Sequence, residues 1–348
     1  MLLLVVLARQ IARYQKLKMY NINEVRAIHL EVTSKCQAKC PMCPRRINGG
    51  AMNPFIELNE VTLDQFQNWF SVDFVKQLNN LSMCGNLGDP IVAKDTLEIF
   101  RYLRTNNSNM SLSMHTNGSA RSPEWFKELA ALQVMVVFGI DGLEDTHHLY
   151  RIDTDWNKII TNAKAFIAAG GDARWDMLAF QHNEHQIDEC RELSQTMGFK
   201  DFYVKHTSRF KDGKFHVLDS VGKTSYILYP TSKSSNMINK MLSAAQDTLP
   251  VINCKSKRDK QIYVSANGTV TPCCWIDMQP LPPMHEPRIQ YLDTIGYWLN
   301  LNDKTLEEIF NSGYFEEIER AWGTCGIKEC SKQCGNFDRQ GAQFENRS

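Results

Sequence analysis

The sequence predicts an α/β fold: a partial (β/α)6 TIM-like barrel followed by a small cysteine-rich C-terminal domain. Three observations predict it. Strand-like and helix-like segments alternate from residue 25 to 210, the cysteines fall into clusters, and the unusual polar motifs all follow strands. Alternation of this kind implies parallel strand pairing, and six units are too few to close an eight-fold barrel.

The elements run in order. Residues 1–24 read as an N-terminal tail: MLLLVVLARQIARYQKLKM opens apolar and then turns basic, the reverse of a secretory signal. Its apolar run is well short of the roughly 20 residues that span a bilayer. An amphipathic surface helix, or an upstream start codon with Met19 as the working start, are the readings left open. AIHLEV (27–32) is the first strand and leads into CQAKCPMC (36–43). Phe66, Trp69, Phe70 and Phe74 recur at helical spacing across 62–78. LSMCG, the helix DTLEIFRYLR and the strand MSLSMHT follow, then a helix announced by Ser122 as N-cap with Pro123 behind it. VMVVFGI precedes a helix stopped by Gly170 and Gly171, WDMLAF precedes one stopped by Gly198, and DFYVKH is a sixth strand with no evident helix. Residues 211–250 read as a bridging segment packed across the open side of the barrel, and 251–340 as the cysteine-rich domain. Gln181, His182, Asn183, Lys205 and His206 close the fifth and sixth strands and would line the same cavity.

Composition bounds the setting. Lysine plus arginine equals aspartate plus glutamate, 39 each in 348 residues, which supports neither a nucleic-acid partner nor a membrane surface. Eleven cysteines, an odd number in clusters and without a secretion signal, predict metal in a reducing cytoplasm rather than disulfides.

In such folds reactive groups sit on loops after the C-terminal ends of strands. The cysteine loop follows the first strand, GNLGDP (85–90) the second, HTNG (115–118) the third and IDGLEDTHHLYR (140–151) the fourth. Every motif therefore falls on one rim. Cys36, Cys40 and Cys43 stand at i, i+4 and i+7, so one turn-rich loop presents all three to a single centre. A structural zinc site takes four protein ligands, and the next cysteine is Cys84. Three thiolates fit a four-iron cluster with one open iron.

C-x3-C-x2-C after a first strand resembles the signature of radical S-adenosylmethionine (SAM) enzymes, over residues 25–210. The resemblance implies a [4Fe-4S] cluster on Cys36, Cys40 and Cys43 whose open iron chelates the methionine end of SAM. One-electron reduction then yields a 5′-deoxyadenosyl radical that takes hydrogen from substrate. Gly88-Asp89-Pro90 resembles the family's Gly-Glu-Pro turn, which meets the methionine ammonium, with aspartate one methylene shorter. Asn117 of Thr-Asn-Gly is implied to lie near the cofactor. IDGLEDTHHLYR resembles the Ser-x-Asp-Gly…His…Tyr-Arg segment of the subgroup with a SPASM extension. Gly139 stands where that subgroup has serine, and Arg151 is implied to engage the methionine carboxylate, an ion pair with Asp141 or Glu144 being the plainer reading.

Late in the chain, Cys254-x13-Gly268-x4-Cys273 is similar to the opening of a SPASM domain and Cys330-x3-Cys334 to its close. The seven cysteines of a full SPASM domain are not present, which implies one auxiliary [4Fe-4S] cluster, as in the shorter twitch variant. Its implied ligands are Cys254, Cys273, Cys330 and Cys334, with Cys325 in reserve and Cys274 facing away. A zinc knuckle on the same thiols has the same stoichiometry.

The resemblance implies an electron donor such as flavodoxin or ferredoxin. Three functions follow in order: a radical enzyme on a peptide or protein side chain, one on a small molecule such as an amino sugar or nucleotide, and a non-catalytic iron–sulfur or zinc protein. No separate leader-binding module is evident before residue 25, which counts against the first.

Overall fold

The computed structural model describes residues 19–207, 209–210, 212–235, 251–277, 299–322 and 327–335. The N-terminal tail before residue 19, residues 236–250 of the bridging segment and Cys325 lie outside the described residues.

Six parallel strands form in the expected places: β1 (Ala27–Leu30), β2 (Asn80–Met83), β3 (Ser111–Thr116), β4 (Val134–Gly139), β5 (Ala173–Leu178) and β6 (Asp201–Lys205), hydrogen-bonded in that order. The intervening helices are α1 (Leu63–Trp69), α2 (Val72–Gln77), α3 (Thr96–Asn106), α4 (Pro123–Ala131), α5 (Glu144–His147), α6 (Trp156–Ala168) and α7 (Ile187–Met197). Alternate strand residues such as Ile28, Leu30, Leu81 and Met83 are buried against these helices in one apolar core. The opposite face carries His29, His115, Arg174, Asp176 and Lys205, and the His115 ring feels the charges of the other four across the inside of the curved sheet.

Two local expectations change. The aromatic run at 62–78 is two helices rather than one. Phe70 takes extended backbone, and the Ser71 hydroxyl accepts from Phe74 N–H at 3.2 Å, so α2 starts afresh with its own cap. Pro123 does open α4, but the Ser122 side chain makes no cap bond.

The bridging segment, whose sequence is only weakly periodic, contains an antiparallel hairpin, β7 (Phe215–Leu218) and β8 (Thr224–Leu228). Phe215, Val217 and Leu228 pack with Met42 of the cysteine loop and with Tyr150 and Phe180, forming a second, smaller core. Next come α8 (Lys255–Asp259), β9 (Gln261–Val264), β10 (Val270–Thr271), α9 (Cys274–Asp277), α10 (Leu306–Asn311), α11 (Tyr314–Ala321) and α12 (Lys328–Cys334). β9 pairs parallel to β1 and β10 antiparallel to β9, so this late segment extends the barrel sheet beyond its first strand. No described helix is long and apolar enough to cross a membrane.

Candidate active site and metal centres

The cysteine loop is clamped by every neighbouring rim loop. Lys35 O accepts from Asp89 N–H at 2.9 Å after β2, Gln37 Nε2 donates to Asn117 Oδ1 at 2.7 Å after β3, and Lys39 N–H donates to Ile152 O at 2.9 Å after β4. From beyond β6, Arg209 Nη1 donates to Met42 O at 3.0 Å. Within the loop, Arg45 Nη2 reaches Cys36 O at 2.7 Å, and Cys43 N–H closes a turn onto Cys40 O at 3.0 Å. The conformation presenting the three thiols is thus held from several sides.

The thiols lie within each other's electrostatic reach. Burial pushes Cys36 up to about 12 and Cys40 to about 11, and it raises Cys43 as well. A bare thiol here keeps its proton, so a metal centre is what would hold these sulfurs as thiolates. The surroundings suit that charge. Arg45 faces Cys36 and Cys43, Arg209 faces Cys43, and Arg151 Nη1 stands 3.9 Å from Cys40 Sγ. Asn117 Nδ2 lies 3.6 Å from Cys36 Sγ. Among the described residues no three His, Cys, Asp or Glu side chains converge as the ligands of a single ion would. Grouped thiols with cations around them fit a multi-iron cluster, which spreads its thiolates wider than one tetrahedral ion does.

Asp89, Asn117 and Arg151 come together around this loop. Asp89 is buried, and its carboxylate accepts from Asn117 N–H at 2.7 Å, Asn117 Nδ2 at 2.6 Å and Ile91 N–H at 3.0 Å. Burial raises its pKa, and those donors pull it back toward the ionised form. Gly88 is where the turn must be bare: a Cβ there would lie 1.6 Å from Thr33 O.

Arg151 is paired with Asp141, its Nε donating to Asp141 Oδ2 at 2.6 Å. The partner is fully buried, not a surface acid, so the pair aims the guanidinium rather than decorating the exterior. Burial alone would lower the guanidinium's pKa, but Asp141 and Cys40 more than offset it, so the cation persists. Gly139 explains the missing serine. A Cβ at that position would meet Arg151 Nη2 at 2.6 Å, so the arginine occupies the space a side chain would take. Of the other strand-end residues, Asn183 is structural: buried, it accepts from Phe180 N–H at 2.7 Å and donates to Asp141 O and Leu178 O. Lys205 pairs with Asp176, His206 bonds Thr231 and Ser234, and Gln181 is exposed. His182 Nε2 is buried with no partner among the described residues.

The late cysteines form a second group. Ile252 bridges Gly335 and Asn253 N–H donates to Cys334 O at 2.7 Å, which brings Cys254 onto Cys334. A hydrogen bond from Cys254 holds the Cys334 thiol below its ordinary value, and Lys255 and Arg258 add to the effect. Cys273 and Cys330 complete the set: burial pushes Cys273 to about 11 and Cys330 to about 12, and both feel Cys334. Gly268, at φ +92, makes the turn between β9 and β10 that returns the chain to Cys273. Cys274 feels its chain neighbour Cys273 and, beyond it, Cys84, Asp277 and Glu31.

Two residues without a motif also belong to this region. Glu31, the first residue after β1, is buried beneath the GNLGDP turn, and Tyr263 on β9 donates to it at 2.7 Å. Polar residues at alternate positions of a strand, His29 and Glu31, were the available signal for an inward-facing acid. Glu31, Asn86 and Asp277, with Phe55, Ile56 and Glu57, help line a cavity of about 270 Å³ between the cysteine loop's return and the C-terminal segment.

Comparison with known proteins agrees with this construction. Residues 30–193 match the radical SAM superfamily model, and the chain belongs to that superfamily. Residues 254–336 match SPASM, an iron–sulfur cluster-binding domain, which places the chain among members with that C-terminal extension and implies four-iron clusters rather than zinc. Streptococcus suis SuiB bound to S-adenosylmethionine has a similar structure, with TM-score 0.56 and 13% identity over 85% of this chain and 68% of that one. anSMEcpe with bound AdoMet gives TM-score 0.54 and 16% identity over 84% and 79%. SuiB with its precursor peptide SuiA gives TM-score 0.55 and 12% identity over 92% and 70%. No curated protein sequence matches the chain.

Proposed function

We propose that this radical SAM enzyme cleaves S-adenosylmethionine reductively and abstracts hydrogen from a peptide or protein side chain. The observation carrying the first half is the convergence of Cys36, Cys40 and Cys43 with Asp89, Asn117 and Arg151 on one clamped loop. In this reading the three thiolates hold a four-iron cluster, Gly88 and Asp89 receive the methionine ammonium, and Arg151 receives its carboxylate. A reduced cluster with SAM bound supplies one-electron cleavage and a hydrogen-abstracting radical. The chain's own residues bind, orient and enclose. Asn117 holds Asp89 in place, Asp141 aims Arg151, and the β7–β8 hairpin covers the cysteine loop through Met42. Cys254, Cys273, Cys330 and Cys334 would hold the second cluster, and Cys325 remains the reserve ligand.

The peptide half rests on likeness of fold. A SuiB structure contains a precursor peptide and an anSMEcpe structure a Cp18Cys peptide, both on the architecture described above. The cavity of about 270 Å³ between the cysteine loop's return and the C-terminal segment is large enough to take a side chain.

Anaerobic reconstitution with a strong reductant tests the reading. Wild type is expected to release 5′-deoxyadenosine from SAM, with Cys36→Ala, Cys40→Ala and Cys43→Ala each reducing release to background. Cleavage persisting in any one of the three would remove the assignment. A peptide library incubated under the same conditions is expected to contain products whose mass has changed.

A further inference from the structure

Glu31 is an acid buried without an evident catalytic use. It is only 2% exposed, and its oxygens are satisfied by N–H and O–H donors. One oxygen, Oε1, accepts from Leu87 N–H at 2.6 Å and Gly88 N–H at 3.1 Å, two successive amides of the turn that carries Asp89. The other, Oε2, accepts from the Tyr263 hydroxyl at 2.7 Å. Burial alone raises its pKa, while these donors favour the carboxylate. Sequestering a carboxylate is costly, and stability alone would be served as well by an apolar side chain. What this carboxylate does is tie the backbone after β1, the amides of the turn after β2 and a side chain of β9 to one point.

Tyr263 is the unexpected partner, coming from β9 of the C-terminal segment. Its ring is fully buried and meets His29 edge-on at 4.9 Å, and its hydroxyl lies within hydrogen-bonding reach of a second acid, Asp277, as well as of Glu31. The same hydroxyl accepts from Asn86 Nδ2 at 3.3 Å, and Asn86 Nδ2 also donates to Cys274 O at 2.9 Å. The turn at 86–88 is therefore bound to the C-terminal segment twice, through Tyr263 and Glu31 and through the backbone beside Cys273. The turn also has little slack: a Cβ at Gly85 would lie 2.6 Å from Glu31 Oε1.

We propose that Tyr263 and Glu31 are positioning residues through which the C-terminal iron–sulfur domain sets the SAM-binding turn, so that SAM affinity depends on how β9 is docked. This rests on the reading of Gly88 and Asp89 as cofactor contacts. Tyr263 reaches the turn in two ways, through Glu31 on the amides of Leu87 and Gly88 and directly through its bond from Asn86.

The test uses the full-length chain, anaerobically reconstituted, with SAM as the probe. Equilibrium dialysis without reductant gives SAM affinity, metal analysis gives iron content, and the low-temperature EPR signal of reduced protein shows whether SAM perturbs the first cluster. Tyr263→Phe removes only the hydroxyl. It is expected to weaken SAM binding about tenfold, the order of one hydrogen bond to a buried carboxylate, with iron content unchanged and a smaller SAM-induced EPR change. Glu31→Gln is expected to weaken it at least as much, and the double variant by less than the two effects multiplied. Should Glu31→Gln fail to fold, Tyr263→Phe alone decides. Wild-type affinity in Tyr263→Phe, beside a loss in Asp89→Ala, would overturn the inference while sparing the reading of the turn. So would a loss of affinity that appears only together with loss of iron. Unchanged affinity in Asp89→Ala would remove the reading of the turn, and the inference with it.

Discussion

At Gly139 the absence of a side chain is what lets Arg151 lie over the cysteine loop. The guanidinium is a flexible tip, so a methyl group there can be accommodated by its swinging aside. It cannot swing without leaving Asp141 and Cys40. Gly139→Ala is therefore expected to lower the melting temperature, since Asp141 is left buried and unpaired, and to weaken SAM binding about tenfold, on the scale of one charge-assisted hydrogen bond. Calorimetry or dialysis against SAM, alongside a melting curve, checks both halves. Unchanged affinity beside a lowered melting temperature would mean that the residue packs rather than makes room for an arginine that meets the cofactor. Asp89 shows the same economy of placement, since one carboxylate fixes both the backbone and side chain of Asn117.

Among the elements, α5 is the clearest case of order imposed from outside. Four residues are too few for a helix to persist alone. His147 supplies the anchor: its Nδ1 accepts from Asp141 N–H at 3.1 Å and its Nε2 lies 3.0 Å from Thr154 Oγ1. An imidazole that accepts at Nδ1 must be neutral there, and burial, followed by the nearby Arg151 charge, lowers its pKa to about 3. The unfolded chain binds that proton near pH 6.5. Between about 6.5 and about 3 unfolding therefore takes up a proton, so stability is full above the upper limit and falls as pH is lowered through the window. Melting measured at steps from pH 7.5 down to 5.5 should drop less steeply in His147→Gln than in wild type. A slope identical in both would assign the acid sensitivity to other groups, His115 among them, which burial lowers to about 4.

For the whole molecule, the barrel and the late cysteine cluster share one sheet, with β9 seated beside β1. Two separately ligated centres in one body should be separable by mutation. Wild type is expected to contain about eight irons per chain, from two thiolate-ligated four-iron centres. The triple variant Cys36→Ala, Cys40→Ala, Cys43→Ala is expected to keep about four of them while losing SAM cleavage. Adding Cys273→Ala or Cys334→Ala should remove the rest, whereas adding Cys274→Ala should not, because Cys274 lies outside the proposed ligand set. Iron and sulfide analysis reads each step, and a metal-free triple variant would leave the late thiols without this role.

Much of this protein was determined by the sequence alone. The six strand–helix units were legible because burial on a sheet or helix writes a local period into the chain, and β1 to β6 fall where that period put them. The rim motifs were legible because a parallel strand's C-terminal loop is known once its strand is. Only the tertiary structure decided the rest, for reasons of distance along the chain. The aromatic spacing at 62–78 could not show that Ser71 would start a second helix, since Phe66 to Phe74 bury equally well on two. Weak periodicity hid the β7–β8 hairpin, whose apolar residues are matched to Met42, Tyr150 and Phe180 far away in sequence. Glu31 and Tyr263 belong to no motif and stand 232 residues apart. A contact of that span leaves no periodic or spacing signal, so it exists only once β9 has been laid against β1.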